Sequence, residues 1–190
     1  YAAGRREAKR ETGGTAASHS RHIYFKRALR AHADEHDSET ALAVGDAYWD
    51  GYADAMRLCD GVERTLDALA DAGVAVAVVT NLTTRVQLRK LARLGIDDRI
   101  DRLVTSEEVG REKPSALPFT TALASLDCRP SDALVVGDNL GADIGGGNAL
   151  GIDTALFVAD GDAPPDAEID EPRRPDVRLD AFDELHEVAL

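Results

Sequence analysis

The residues best suited to chemistry lie in Val135-Val136-Gly137-Asp138-Asn139-Leu140-Gly141-Ala142-Asp143. The apolar run from Ala133 to Val136 predicts a short buried strand. Gly137 then permits a tight turn. Asp138 is left at the carboxyl end of the strand, the edge where open α/β sheets bind ligands. Asp143 follows where the next helix should begin. Two carboxylates converging on one strand end form a hard-oxygen site that suits Mg2+. The same residues also fit a plain strand, an Asx turn and an Asp helix cap, and the motif alone does not choose between the two. A second apolar strand, Val74 to Val79, ends in Thr80-Asn81, and Glu112-Lys113-Pro114 lies between the two strands in sequence. Thr80 offers a hydroxyl and a backbone N–H to a phosphate at its strand end, and Asn81 offers a further donor. Lys113 supplies an ammonium beside a proline that stiffens the chain. Phosphoryl transfer needs such donors and cations to neutralise the nonbridging oxygens.

Strand-Thr, then Lys-Pro, then strand-Gly-Asp-x4-Asp resembles the haloacid dehalogenase (HAD) superfamily of phosphohydrolases. Thr80 matches its second motif, Lys113 its third, and Asp138 with Asp143 its fourth. The stretch Ser106-Glu107-Glu108-Val109-Gly110-Arg111-Glu112-Lys113-Pro114 is similar to the members with a helical cap inserted after the first strand. The resemblance covers roughly residues 60 to 160. It implies an α/β core with a Rossmann-like parallel sheet and a small all-helical cap. It also implies Mg2+-dependent hydrolysis of a small phosphorylated metabolite through an aspartyl-phosphate intermediate. In that frame Thr80 and Lys113 are catalytic. Thr80, Asn81 and Lys113 bind the substrate, Asp138 binds Mg2+ directly, and Asp143 binds it through water or orients the first ligand. Two other readings stay open. A haloacid dehalogenase needs no metal and typically carries Ser-Asn where this chain has Gly137-Asp138. A noncatalytic phosphate- or metal-binding module would lack the nucleophile.

The family's first motif is Asp-x-Asp on the first strand, which provides the nucleophile and the general acid/base. No such strand opens this chain. It begins Tyr1-Ala2-Ala3-Gly4-Arg5-Arg6, polar and helix-like, without an initiating Met. The first apolar β-like run, at Val74, already belongs to the second motif. The expectation is a chain that starts inside the cap, lacks the nucleophile strand, and is inactive on its own.

These residues need elements to hold them. Residues 1–58 read as the helical cap, with helices over Ser18–Ala33 and Ser38–Leu58 and Ser38 as N-cap. The aromatic residues Tyr48, Trp49 and Tyr52 are expected to pack within that bundle. Residues 59–190 alternate helix and strand, as a parallel sheet requires. Helices are expected over Val62–Ala72, Thr83–Leu94, Ala116–Leu126 and Asp143–Leu150. Strands are expected over Val74–Val79, Arg102–Thr105, Ala133–Val136, Thr154–Val158 and Val177–Leu179, with a final helix from Ala181. Asp160 to Pro175 reads as a mobile loop. Gly145-Gly146-Gly147 lacks the Gly-Lys-Ser/Thr of a Walker loop and reads as close helix packing. His32-Ala33-Asp34-Glu35-His36 fits the pattern of an inverted zinc protease, but it reads better as a polar corner between helices.

Composition narrows the function classes. The net charge is −13, and only Lys9, Lys26, Lys90 and Lys113 are lysines. Such a surface disfavours nucleic acid. An excess of acids over bases is more than GC bias produces, so the balance points to a salt-loving source. No run has transmembrane length and no signal pattern opens the chain, which argues for a cytoplasmic protein. Cys59 and Cys128 read as reduced, partly buried thiols.

Overall fold

The structure, a computed structural model, describes residues 1–31, 37–159, 164–165 and 168–189. Its elements run α1 (Ala2–Thr12), α2 (Arg21–Arg30), α3 (Ser38–Ala55), α4 (Val62–Asp71), β1 (Ala77–Thr80), α5 (Thr84–Leu94) and β2 (Arg102–Thr105). There follow α6 (Ser106–Val109), α7 (Ala116–Ser125), β3 (Leu134–Gly137), α8 (Gly145–Asn148), β4 (Asp153–Phe157), β5 (Val177–Leu179) and α9 (Leu185–Ala189). This is the α/β order expected from the alternating pattern. Among the described residues, no helix is long and apolar enough to cross a membrane. The chain divides into two compact units. One gathers residues 1–57, 80–95 and 105–112, and the other 58–79, 96–104 and 113–190.

The first unit is helical. α1 lies against α2, and α2 against α3. Gly4 permits the first approach, since a Cβ there would stand 2.2 Å from the Tyr24 carbonyl oxygen. Ala8, Tyr24, Ala41, Trp49 and Ala53 are buried. The rings of Tyr48, Trp49 and Tyr52 touch one another, with centroids 5.2–6.2 Å apart. The Arg21 guanidinium lies 5.4 Å from the Tyr24 ring centre and 5.3 Å from that of Trp49. Such contacts favour the half-buried cation, which also donates to the His19 carbonyl at 3.1 Å. α5 joins this unit through Leu91 and through an ion pair of Arg89 with Asp50.

The second unit holds the strands. β3, β4 and β5 form a parallel sheet, with Leu134 opposite Asp153 and Ala155 opposite Val177. β1 pairs with β2 in a separate ladder. Among the described residues, no ladder joins β1 to β3. Ala155, Leu179 and Leu185 centre a core that also takes in Phe157 and Phe182. Asn148, Thr154 and Asp176 form a polar network that fixes the crossover into β5. Gly146 and Gly147 pack closely, as expected, against Phe119 and Thr154.

Several boundaries differ from the sequence expectation. The helix expected over Ser18–Ala33 begins only at Arg21. Ala16–His19 is a 3-10 turn and Ser20 is extended, because the Ser18 hydroxyl and carbonyl are both engaged by distant side chains. The N-cap of α3 is Asp37, not Ser38, because its carboxylate accepts from the Thr40 N–H at 2.8 Å. That helix stops at Ala55, since Met56 is extended. β1 starts at Ala77 because the Val74 N–H bonds back to Leu69 and prolongs the end of α4. Asp143 does not open a helix: Leu140–Ile144 is a π turn that leads into the shorter α8. Cys59 is exposed, although Cys128 is half-buried as expected, and both are free thiols. The His32–His36 pattern lies outside the described residues, as does much of the expected loop from Asp160. Within the described part of that loop, Glu171–Arg173 forms a 3-10 turn.

The α1–α2 approach sets a test. Gly4→Ala places a methyl against backbone that cannot rotate away, and overpacking of this kind costs about 1–3 kcal/mol. The melting temperature, read by circular dichroism, is expected to fall by roughly 2–4 °C for each kcal/mol lost.

Candidate active site

The end of β3 is built by a reciprocal turn. The Asn139 side-chain oxygen accepts from the Gly141 and Ala142 N–H groups at 3.0 and 2.8 Å, which bends the chain back at once. The Asp143 N–H donates to the Asn139 carbonyl at 2.9 Å, and the Asn139 N–H donates to Asp143 Oδ2 at 3.1 Å. The Asp143 side chain therefore folds back over the strand end. Gly137 makes room for it, since a Cβ there would lie 2.4 Å from the Asp143 Cβ. No other residue fits at that position without moving the carboxylate.

Asp143 is only 6% exposed. A buried carboxylate requires a partner. Lys113 provides it, with Nζ 2.6 Å from Oδ1. The same ammonium donates to the Val79 carbonyl at 2.5 Å and lies 6.0 Å from the centre of the Phe119 ring. The Lys113-Pro114 peptide is cis. Lys113 thus joins the ends of two strands that, among the described residues, no backbone ladder connects.

Each expected site residue can now be placed. Lys113 and Asp143 are in direct contact, and Asp138 is exposed at the carboxyl end of β3 beside Gly137. Thr80 is the last residue of β1, one peptide bond beyond the carbonyl that Lys113 engages. Its hydroxyl accepts from the Leu82 N–H at 3.2 Å. Asn81 follows it and is half-buried. Thr80 and Asn81 cluster with the first compact unit, whereas Lys113, Asp138 and Asp143 cluster with the second. Sequence reasoning missed the Val79 carbonyl and the capping role of Asn139. An Asn directly before a Leu-Gly-Ala turn is a readable cap, but nothing in the sequence points to a backbone carbonyl.

The donor set fits Mg2+ in part. Among the described residues, no three His, Cys, Asp or Glu side chains gather as a metal cluster. Mg2+ is commonly held by one or two carboxylates and keeps several waters. Asp138 presents an exposed carboxylate, and both oxygens of Asp143 already accept, one from Lys113 and one from Asn139. Direct ligation therefore suits Asp138, and orientation of bound water suits Asp143.

The Lys113–Asp143 pair also sets a stability test. Lys113→Met leaves the buried Asp143 charge without its cation, a change that typically costs about 3–5 kcal/mol. Adding Asp143→Leu is expected to recover most of that loss in urea denaturation. A Lys113→Met single variant as stable as the parent protein would show that the pair carries no such load.

The sequence pattern of the haloacid dehalogenase-like hydrolases matches residues 24–157. A ribulose-1,5-bisphosphate 5-phosphatase of Halopiger xanaduensis is 55% identical over 157 residues, which is 83% of this chain and 66% of that protein. A glyceraldehyde 3-phosphate phosphatase of Methanopyrus kandleri is 33% identical over 166 residues, 83% of this chain and 70% of that one. The chain therefore spans about two thirds of the length of these relatives. A HAD phosphatase from Thermococcus onnurineus superposes with a TM-score of 0.73 at 22% identity, over 97% of this chain and 77% of that one, a likeness of fold. A sequence pattern matched over more than half of its residues and a relative at 33% identity across 70% of that relative's length place this chain in the haloacid dehalogenase-like hydrolase family.

Proposed function

We propose that this chain is the greater part of a Mg2+-dependent phosphohydrolase acting on a small phosphate ester through an aspartyl-phosphate. The observation that carries the reading is the Lys113 ammonium fixed between Asp143 and the Val79 carbonyl, beside the exposed carboxylate of Asp138. Mg2+, when bound, supplies charge neutralisation for the phosphoryl oxygens. Lys113 holds a second positive charge at the same edge. Thr80 presents its hydroxyl and backbone N–H to the transferring group, and Asn81 adds a donor toward the substrate. Asp138 holds the cation, and Asp143 orients what surrounds it. In this reading residues 1–58 act as a substrate-selecting cap and 59–190 as the catalytic core.

The nucleophile belongs on a strand seated between β1 and β3. Two observations support this. β1 and β3 lie in separate ladders. Their residues Val78, Val79, Val135 and Val136 are only half-buried, whereas Thr154, Ala155 and Leu156 of β4, paired on both sides, are buried. Apolar strands of parallel sheets are normally covered on both faces. A strand in that slot would bury the valines and bring an Asp-x-Asp motif to the edge that holds Asp138. Its first Asp would attack phosphorus and expel the alcohol, and water would then release phosphate.

The named activities of the relatives, on ribulose-1,5-bisphosphate and glyceraldehyde 3-phosphate, favour a phosphorylated sugar or triose as substrate. A net charge of −13 with four lysines favours a small metabolite over nucleic acid. It also suits the cytoplasm of a salt-loving organism, the habit of the Halopiger relative.

The N-terminally extended protein, bearing an Asp-x-Asp strand, is expected to release phosphate from ribulose-1,5-bisphosphate with Mg2+ and not with excess chelator. Asp138→Asn should raise the Mg2+ needed for half-maximal rate by roughly 10- to 100-fold. Full activity in chelator would refute the metal role. The 190-residue chain alone is expected to hydrolyse no phosphate ester and to aggregate through its open strand edges. Cooperative melting of that chain at high temperature, together with hydrolysis, would show that the slot between β1 and β3 is misassigned.

A further inference from the structure

Three glycines in a row, Gly145-Gly146-Gly147, follow Asp143-Ile144 and open α8. The middle one touches the lysine side of the site. A Cβ on Gly146 would stand 2.6 and 2.8 Å from Cε2 and Cζ of Phe119, and 3.4 Å from Cα of Pro114. Phe119 is 3% exposed. The centre of its ring lies 6.0 Å from Lys113 Nζ, at the reach of a cation–π contact. Pro114 is the residue after Lys113. The bare backbone at Gly146 therefore meets both the ring beneath the ammonium and the chain next to the lysine root. Gly146 also stands three residues after Asp143, which pairs with that ammonium at 2.6 Å. All of these residues lie in the second compact unit, as does Val79.

We infer that Gly146 and Phe119 are positioning residues for Lys113. The missing Cβ at Gly146 gives the Phe119 ring its seat against α8. The ring and Pro114 then fix how far the lysine segment stands from the segment that carries Asp143. The constraint is one of space, since a close-packed interior accommodates an added methyl only by displacement. Three parts could move. α8 has no slack at its next residue, because a Cβ on Gly147 would lie 2.7 Å from Thr154 Cγ2 and 3.4 Å from Val135 Cβ. Pro114 takes the lysine root with it when it shifts. The Phe119 ring is the softest of the three, yet turning it removes the aromatic face from the ammonium. Whichever part gives, the lysine loses a constraint. Its stem is long and flexible, so its surroundings decide how firmly the ammonium stays between Asp143 and the Val79 carbonyl. A reacting group is sensitive to small displacements of the charges that serve it. The catalytic consequence rests on the phosphohydrolase reading, but the positioning does not.

The test compares Gly146→Ala, Phe119→Leu and the double variant in the extended protein. Leucine lacks the ring atoms that the new methyl would strike, so the second change makes room for the first. Gly73→Ala is the control. It strains a backbone at φ +74° where an added Cβ meets nothing within 4 Å, and so lowers stability without touching Phe119. Two measurements are made: hydrolysis of p-nitrophenyl phosphate, and the rate at which N-hydroxysuccinimidyl acetate acetylates Lys113, followed by mass spectrometry. The Lys113 side chain is 13% exposed, so the parent protein should react slowly there. Gly146→Ala is expected to acetylate Lys113 several-fold faster and to lose kcat on the order of 10-fold, with KM changed by less than about twofold. Phe119→Leu should speed acetylation about twofold and lower kcat roughly threefold. The double variant should match Phe119→Leu rather than the product of the two losses, because one contact carries both. The control should change neither measurement. Acetylation at the parent rate in Gly146→Ala, or losses that multiply in the double variant, would overturn the inference. Should Gly146→Ala fail to fold, Phe119→Leu decides alone, and unchanged Lys113 acetylation there overturns it as well. A parent protein without hydrolysis would count against the phosphohydrolase reading, and acetylation alone would then decide the positioning.

Discussion

The ion pair between Lys113 and Asp143 is the contact on which the strand ends depend. A carboxylate 6% exposed in a chain of net charge −13 is expensive to bury without a cation. Everything around it follows from that requirement. Gly137 lacks a Cβ so that Asp143 can lie over the strand end. Asn139 caps the turn that carries Asp143 back. The Val79 carbonyl takes another N–H of the same ammonium. One lysine therefore ties the end of β3 to β1, which lie in separate ladders.

The helical unit is arranged differently. Its interior gathers aromatic rings around a guanidinium, and its helices approach through small residues such as Gly4 and Ala8. The segments that leave the carboxyl ends of β1 and β2, residues 80–95 and 105–112, belong to this unit by their contacts. Thr80 and Glu112 stand at points where the chain passes from one unit to the other.

Much of this was legible because local chemistry and fold agree. Strand-Gly-Asp-x4-Asp gave the β3 edge, and the order of Thr80, Lys113 and Asp138 gave the α/β family. The elements expected between Val62 and Leu126 were placed within three residues, although the short α6 was not foreseen. What could not be read came from tertiary contacts. Ser18 and Ser20 interrupt a helix because Glu112 and Tyr24 recruit Ser18. Asp143 enters a π turn because its carboxylate is drawn to a lysine thirty residues earlier. Asp37 displaced Ser38 as cap because adjacent cap-formers compete and only geometry separates them. Neither the pairing of Lys113 with a backbone carbonyl nor the hydrogen bond of Ser18 to Glu112 has a sequence pattern that announces it.

The aromatic cluster around Arg21 has one more consequence. Trp49 is the single tryptophan of the chain, it is 6% exposed, and a guanidinium lies over its ring. Indole emission from this protein therefore originates at one buried point in the helical unit. The strand-bearing unit contributes no indole at all. Fluorescence will thus report on the helical unit alone and far-ultraviolet dichroism on the backbone of both units, and a gap between their transitions would show that the two units melt separately.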